Sequence, residues 1–327
     1  SGEKIMRKIR LGVAGASGAF GTKHLEALTQ IETAEITAVM APSQDKARDA
    51  AIAFSAAHAF DDFDRFITCD EIDAVILATP TQMHAEQGLK AMRAGKHVLI
   101  EIPMADSLAD ANALVAMQKQ TGLIAMAGHV RRFNPSHQWI NNRIRAGEIS
   151  IQQMDVQTYF FRRTNMNAKG EARSWTDHLL WHHACHTIDL FQYQCGEEVS
   201  EVHAVQGPLH PELGIAMDMS IIMKTGSGKL CTLSLSFNND GPLGTFFRYI
   251  CDKGTYNARY DDLFDGHDTQ IDVSDIDVST NGIELINREF IAAILAGREP
   301  NASLVNCLPA MRVMHEIEQK MTRSPHQ

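Results

Sequence analysis

The segment Gly15-Ala16-Ser17-Gly18-Ala19-Phe20-Gly21 limits what this chain can fold into more than any other stretch. It follows an apolar run at residues 9–14 and opens a segment of helical character at 22–30. A strand, a glycine-rich turn and a helix in that order make a place for a pyrophosphate. The glycines let the backbone turn tightly and approach a ligand, and the helix N-terminus meets its negative charge with unpaired N–H groups and a positive dipole end. Such turns also serve ordinary connections. A second strand at 35–40, at the distance expected of a first βα crossover, favours the dinucleotide reading. Two residues rather than one separate Gly15 from Gly18, so the turn is one longer than G-x-G-x-x-G, and Ser17 adds a hydroxyl near the phosphates.

The pattern continues as alternating strands (74–78, 97–101, 124–128) and helices (44–54, 84–94, 108–121), which predicts a doubly wound parallel sheet. Ligands of such sheets lie outside the carboxyl ends of the strands, here Gly15, Met40, Thr79, Glu101 and Gly128. From about residue 131 the pattern changes. Strand-like runs at 152–161, 199–206, 216–223, 229–237 and 248–251 are rich in Val, Ile, Thr and Phe. Gly226-Ser227-Gly228 marks a hairpin, and helices are expected at 182–194, 282–295 and 308–321. The expected organisation is an α/β dinucleotide-binding domain over 1–130 and an α+β substrate-binding and oligomerisation domain over 131–327. A chain of 327 residues usually needs two cores.

Net charge −10 argues against nucleic acid and anionic membrane as partners. No apolar segment is long enough to span a bilayer, no signal-peptide pattern is present, and the six cysteines lack C-x-x-C spacing. They read as reduced thiols, and a cytoplasmic enzyme is the expectation.

Three further motifs follow in order: Ala78-Thr79-Pro80-Thr81-Gln82-Met83-His84, then Ala94-Gly95-Lys96-His97 through Glu101-Ile102-Pro103, then Gly128-His129-Val130-Arg131-Arg132-Phe133-Asn134-Pro135. Together with the glycine turn they resemble the glucose–fructose oxidoreductase / inositol dehydrogenase / rhizopine catabolism family along the whole chain. The resemblance implies a nicotinamide-binding Rossmann domain and a C-terminal domain whose open, mainly antiparallel sheet often forms a homodimer or higher homo-oligomer. The runs 153–164, 175–183 and 234–242 are closer to one member of that family. That member uses NADP+ to oxidise the cyclic hemiacetal of an aromatic-acid breakdown product to a pyrone dicarboxylate in protocatechuate 4,5-cleavage, a route of lignin degradation. Sugar or polyol oxidation by the same fold, and a catalytically silent dinucleotide sensor, are the competing readings.

The resemblance assigns cofactor contacts to Gly15, Ser17, Gly18, Ala19, Phe20, Ala78, Thr79, Pro80, His84, Glu101, Ile102 and Arg131. It also exposes a departure. Most members carry Lys where this chain has Ile102, and Asp four residues before a second-domain His, where this chain has His182 before His186. The lysine-based mechanism therefore does not transfer. A histidine base is largely unprotonated at neutral pH, whereas an unshifted lysine is not. His182 and His186 are expected to share a helix face, with Asp189 orienting His186, and His186, His182 and His183 are the candidate bases. Zinc binding and plain helix packing are the other readings of these histidines; no required Cys or carboxylate ligand is evident, and no metal is expected. Met40-Ala41-Pro42-Ser43 ends the second strand without the carboxylate that would hold ribose hydroxyls. Pro42, Ser43, Lys46 and Arg48 suit the 2′-phosphate of NADP, with some NAD use. A dicarboxylate substrate calls for arginines, and Arg162, Arg163 and Arg248 are the candidates, with Arg173 a further one. Strand alternation sends only one of Arg162 and Arg163 inward, and Trp181 is expected to wall a planar substrate.

Overall fold

A computed structural model describes residues 6–167, 169–173, 176–276 and 282–322. Trp175 lies outside the described residues. The chain divides into two compact units, one formed by residues 1–130 with 282–308 and the other by 131–281 with 309–327.

In the first unit six parallel strands, β1 (Ile9–Ala14), β2 (Ala34–Met40), β3 (His58–Phe60), β4 (Ala74–Leu77), β5 (His97–Ile100) and β6 (Ala125–Ala127), lie in the order β3-β2-β1-β4-β5-β6. Chain direction across the sheet reverses between β1 and β4, the switch point at which doubly wound sheets bind ligands. All four residues of β4 are buried, as expected of a strand covered on both faces. The connecting helices are α1 (Ala19–Leu28), α2 (Gln44–Ala53), α3 (Phe63–Ile67), α4 (His84–Arg93) and α5 (Leu108–Thr121). Side-chain oxygens of Ser43, Asp62 and Ser107 accept the N–H groups of Lys46, Arg65 and Asp110, capping α2, α3 and α5. Gly122 ends α5 in the left-handed conformation. The short pair β3 and α3 was not legible as a pattern, because three and five residues are too few to show a period.

The second unit begins with α6 (Pro135–Arg145), whose first helical residue is a proline with φ already set for a helix. Eight strands follow: β7 (Ile151–Tyr159), β8 (Val199–Gln206), β9 (Asp218–Thr225), β10 (Leu230–Ser236), β11 (Gly244–Cys251), β12 (Gly254–Arg259), β13 (Asp262–Asp265) and β14 (Gln270–Ile271). Their order is β14-β13-β12-β11-β7-β10-β9-β8, antiparallel except for β7 beside β10. This is the open, mainly antiparallel sheet implied by the resemblance. Exposed and buried residues alternate strictly along β9, so one face of the sheet is packed and the other faces solvent. The expected hairpin joins β9 to β10, with Gly228 at positive φ.

The helix expected at 182–194 is two pieces. A π-helical turn, Leu179–Ala184, leads into α7 (Cys185–Cys195). Two helices close the chain, α8 (Ile283–Ala296) and α9 (Leu304–Thr322). Residues 282–308 group with the first unit, so the chain returns to it at 281/282 and leaves it again at 308/309, two crossings beyond the 130/131 boundary read from the sequence. Arg288 on α8 donates to the Gln30 carbonyl (2.9 Å) and Ala127 N–H on β6 donates to the Ala302 carbonyl (2.8 Å).

Candidate active site

The glycine turn uses each glycine differently. Gly15 has φ +79°, and a Cβ there would lie 2.3 Å from the Ala78 carbonyl oxygen. A Cβ on Gly21 would lie 2.0 Å from the Gly15 oxygen. These two residues let β1, β4 and α1 close on one another. Gly18 is exposed, and a Cβ there would meet only the Gly15 oxygen at 3.4 Å, so the turn presents open backbone. Gly15 and Ala16 donate to the Met40 carbonyl, Gly18 to the Gly15 carbonyl, and Thr22 to the Gly18 carbonyl. Exposed Gly18, Ala19 and Phe20 then begin α1, whose first-turn N–H groups have no carbonyl within the helix to bond. Ser17 stands beside them, half-buried. This cradle fits a pyrophosphate.

At the end of β2, Pro42 and Ser43 are exposed. The Ser43 hydroxyl accepts from Lys46 N–H (3.3 Å), which leaves its own proton for a ligand. Arg48 is exposed and meets Asp45 only at 3.9 Å. Ala78, Thr79 and Pro80 sit half-buried after β4, with the Thr79 hydroxyl donating to Gln87 (2.6 Å). Ile102 is half-buried after β5. His84 is not where a ligand contact would be. It is buried, and its ring nitrogens face the carbonyl oxygens of Thr79 and Pro103, each at 2.7 Å. It braces two turns. Burial pushes its pKa down, against the opposing pull of those carbonyls and of Glu101 and Asp106.

Glu101 stands after β5 with one oxygen on His24 of α1. A Cβ on Gly128 would come within 3.1 Å of the other oxygen, so glycine is what leaves the carboxylate its room.

In the second unit the π-turn organises the histidines. The Nδ1 of His182 accepts the backbone N–H of His178 (2.8 Å), and the two rings stack at 5.9 Å. His182 thus bonds back to His178 within the π-turn, and His186 stands in the first turn of α7, beyond the change of helical register. Burial pushes the pKa of His182 down to about 4, helped by the charges of His183 and His178 and opposed by Asp177. His182 is thus neutral at pH 7, and with Nδ1 accepting, its proton is on Nε2.

His183 points elsewhere. Its Nε2–H donates to Asp177 (2.9 Å), and its ring lies between Phe160 (5.4 Å) and Phe237 (5.2 Å, edge-on). Asp177 is buried and also accepts from Arg162 (2.8 Å) and Arg173 (2.9 Å). Burial alone would raise its pKa. The hydrogen bond from His183 and the charges of His183, Arg162 and Arg173 outweigh that and hold the carboxyl well below its usual range. Two guanidiniums and the His183 ring meet on this one carboxylate, and the Asp177 bond leaves Nδ1 of His183 as the proton-accepting atom.

The other arginines divide. Arg163 is exposed and ties down the Arg162 and Phe237 carbonyls and Asn238, so beyond the end of β7 Arg162 turns inward and Arg163 outward. Arg132 grips Asp189 with two 2.7 Å bonds, so the expected partner of His186 is engaged by a guanidinium. Arg131 is buried over the Tyr260 ring (4.9 Å) and bonds Asn134 (3.1 Å); its Nε has no partner and it forms no ion pair with any described residue. Burial lowers its pKa, against Tyr260 and Asp261. Two expected substrate residues are placed otherwise. Trp181 is buried, its Nε1–H bonded to Glu318 (2.6 Å), because a large aromatic with a satisfied N–H anchors a core. Arg248 is exposed on β11 and bonds Asn257 (3.1 Å), while its neighbours Phe247 and Tyr249 fill the buried face.

Sequence reasoning passed over Asp177, His24 and Asn287. Asp177 lies six residues before His183, a spacing with no helical meaning until the π-turn folds it back. Among the described residues, no helix is long and apolar enough to cross a membrane, and the cysteines are free thiols.

Comparison with known proteins agrees with the two units. Residues 9–129 match the family described as "Oxidoreductase family, NAD-binding Rossmann fold", and residues 135–277 match "Bacterial oxidoreductases, C-terminal". The chain is 61% identical over 315 residues to the 4-carboxy-2-hydroxymuconate-6-semialdehyde dehydrogenase of Sphingobium sp. (strain NBRC 103272 / SYK-6), covering 96% of this chain and 99% of that protein. It is 27% identical to the myo-inositol 2-dehydrogenase of Thermotoga maritima, over 68% of this chain and 66% of that one. Two solved structures share the fold. A UDP-N-acetylglucosamine 3-dehydrogenase from Acidithiobacillus ferrooxidans has TM-score 0.82, 22% identity and coverage of 97% and 98%. A levoglucosan dehydrogenase in complex with NADH has TM-score 0.84, 19% identity and the same coverage.

Proposed function

The chain belongs to the oxidoreductase family with an NAD-binding Rossmann fold, and from that premise we propose that it oxidises the cyclic hemiacetal form of 4-carboxy-2-hydroxymuconate-6-semialdehyde to 2-pyrone-4,6-dicarboxylate, in the 4,5-cleavage breakdown of protocatechuate. The substrate is taken from the relative at 61% identity. The chemistry is carried by one observation, the Asp177 carboxylate shared by His183 and two arginines.

Oxidation of a hemiacetal to a lactone removes a hydride from carbon and a proton from its hydroxyl. A bound nicotinamide dinucleotide supplies the hydride acceptor. Within the chain, His183 takes the hydroxyl proton at Nδ1 while Asp177 holds the ring and favours the imidazolium that forms. Ile102, in place of the usual lysine, only shapes the pocket. His182, neutral and protonated on Nε2, serves as a hydrogen-bond donor to the substrate. Arg162, beside the His183 ring on Asp177, attracts a substrate carboxylate, and buried Arg131 takes a second anionic group. His186 is kept as the alternative base because of its family position.

NADP is the preferred dinucleotide. Support comes from the absence of a carboxylate after Met40 and from the exposed Ser43 hydroxyl and Arg48 guanidinium. Gly15, Ser17, Gly18, Ala19 and Phe20 would hold the pyrophosphate, and Thr79, Pro80 and Glu101 would serve the rest of the dinucleotide. We place the enzyme in the cytoplasm as a homo-oligomer built on the solvent face of its eight-stranded sheet, where Val205 and Ile222 stand exposed.

The test is reduction of NADP+ by the purified protein, with protocatechuate and its 4,5-cleaving dioxygenase generating the semialdehyde. Rapid formation of reduced cofactor and of the pyrone dicarboxylate is expected. Dinucleotide binding without reduction would overturn the substrate assignment and bring forward the sugar dehydrogenase and sensor readings.

A further inference from the structure

The first unit holds a buried polar chain that the reading above does not use. Asn287 on α8 and His24 on α1 are both fully buried and stand 263 positions apart in sequence. Asn287 donates through Nδ2 to the Ile283 carbonyl oxygen and to Nδ1 of His24, each at 3.0 Å. The Ile283 carbonyl fixes the amide orientation, because the reversed amide would set oxygen against oxygen. His24 therefore accepts at Nδ1, carries its proton on Nε2 and donates it to Oε1 of Glu101. Oε2 of Glu101 makes no hydrogen bond to any described residue, and Gly128 leaves it space. It stands just past the carboxyl end of β5, the edge at which such sheets bind ligands.

We propose that His24 and Asn287 are positioning residues for dinucleotide binding: Asn287 selects the His24 tautomer, and His24 holds Glu101 so that its second oxygen is ready to accept a hydroxyl of the bound dinucleotide. This rests on the dinucleotide reading of the first unit. The physical gain is entropic. A free glutamate side chain loses rotamer freedom when a ligand orders it, and a glutamate already ordered in the folded protein does not. Residues with no ligand contact of their own thereby raise affinity.

The experiment is titration calorimetry of NADP+ and NAD+ with the full chain, with thermal melting recorded alongside. His24→Phe keeps the buried volume and removes the donor, and it is expected to weaken binding about tenfold. Asn287→Ala is expected to act in the same direction. His24→Gln retains an N–H donor and is expected to stay within about threefold of the wild type. In a Glu101→Ala background His24→Phe is expected to cause no further loss, because the group it positions is gone. Equal loss from His24→Phe in both backgrounds would mark a purely structural residue and overturn the proposal, as would wild-type affinity in His24→Phe. Should His24→Phe not fold, Asn287→Ala with and without Glu101→Ala completes the same cycle. Failure of the wild-type chain to bind either dinucleotide overturns the reading of the unit itself, and is distinguishable because every variant is scored against wild-type binding.

Discussion

The glycine turn of residues 15–21 and the histidine segment of residues 177–186 both read as functional in the sequence, and the structure treats them in opposite ways. The turn does its work with backbone. Its glycines close β1, β4 and α1 together and leave Gly18 open, and mainly backbone hydrogen bonds hold the shape, with the Thr22 hydroxyl added on the Gly18 carbonyl (2.9 Å). The histidine segment works through side chains whose roles are set by partners. His182 is paired with His178, and His183 with an aspartate that two arginines also hold. Backbone motifs are local and survive reading one letter at a time. Side-chain roles depend on which neighbours the fold delivers.

The largest expected effect would come from putting a side chain into the turn. Gly15→Ala adds a Cβ 2.3 Å from a backbone oxygen at φ +79°, where backbone cannot yield easily. Loss of at least about 2 kcal/mol of stability and of dinucleotide binding is expected, measured by denaturant melts and calorimetry; unchanged binding would break the claim that backbone shape carries this region. Next comes the histidine segment. His183→Ala is expected to lower kcat by about 100- to 10,000-fold with dinucleotide affinity unchanged, and Asp177→Asn to act in the same direction by releasing the ring. Steady-state kinetics checks both, and a larger kcat loss in His186→Ala than in His183→Ala would move the base to His186.

A smaller effect concerns pH. The folded pKa of His182 is pushed below its ordinary value to about 4, so the unfolded chain binds the extra proton first. This residue's contribution to stability is fully present above about pH 6.5 and falls as pH drops from there towards 4. His182→Asn is expected to flatten that part of the stability–pH curve. Asp177 acts lower down, because its folded pKa is depressed: its contribution is present above about pH 4 and is lost as acid protonates it in the folded state. The smallest effect is Arg248→Ala. This residue is exposed and bonded to Asn257, and substrate KM is expected to stay within about twofold of wild type; a large rise in KM would return it to the substrate site.

Much of the first unit was legible because parallel strands buried on both faces are continuous apolar runs, and helices between them carry capping residues such as Ser43 and Ser107. The short elements β3 and α3 were not, having too few residues for a period. In the site, Glu101 and Thr79 were expected from motifs at strand ends, and both stand half-buried just after β5 and β4. His84 was found by the same motif, yet its ring faces two carbonyls. Trp181 and Arg248 illustrate the same gap, since neither burial under α9 nor exposure on a sheet face is written in the residue type.

The sequence by itself determined a glycine turn at Gly15–Gly21 suited to a dinucleotide, and a doubly wound α/β unit followed by an open sheet. Only the tertiary structure decided which histidine meets Asp177, that Arg162 turns inward and Arg163 outward, and that His24 and Asn287 stand behind Glu101. The reason is physical. Backbone geometry and hydrophobic period act over a few residues, whereas the partner of a buried polar atom is chosen by packing across the whole unit, which here joins positions 263 residues apart.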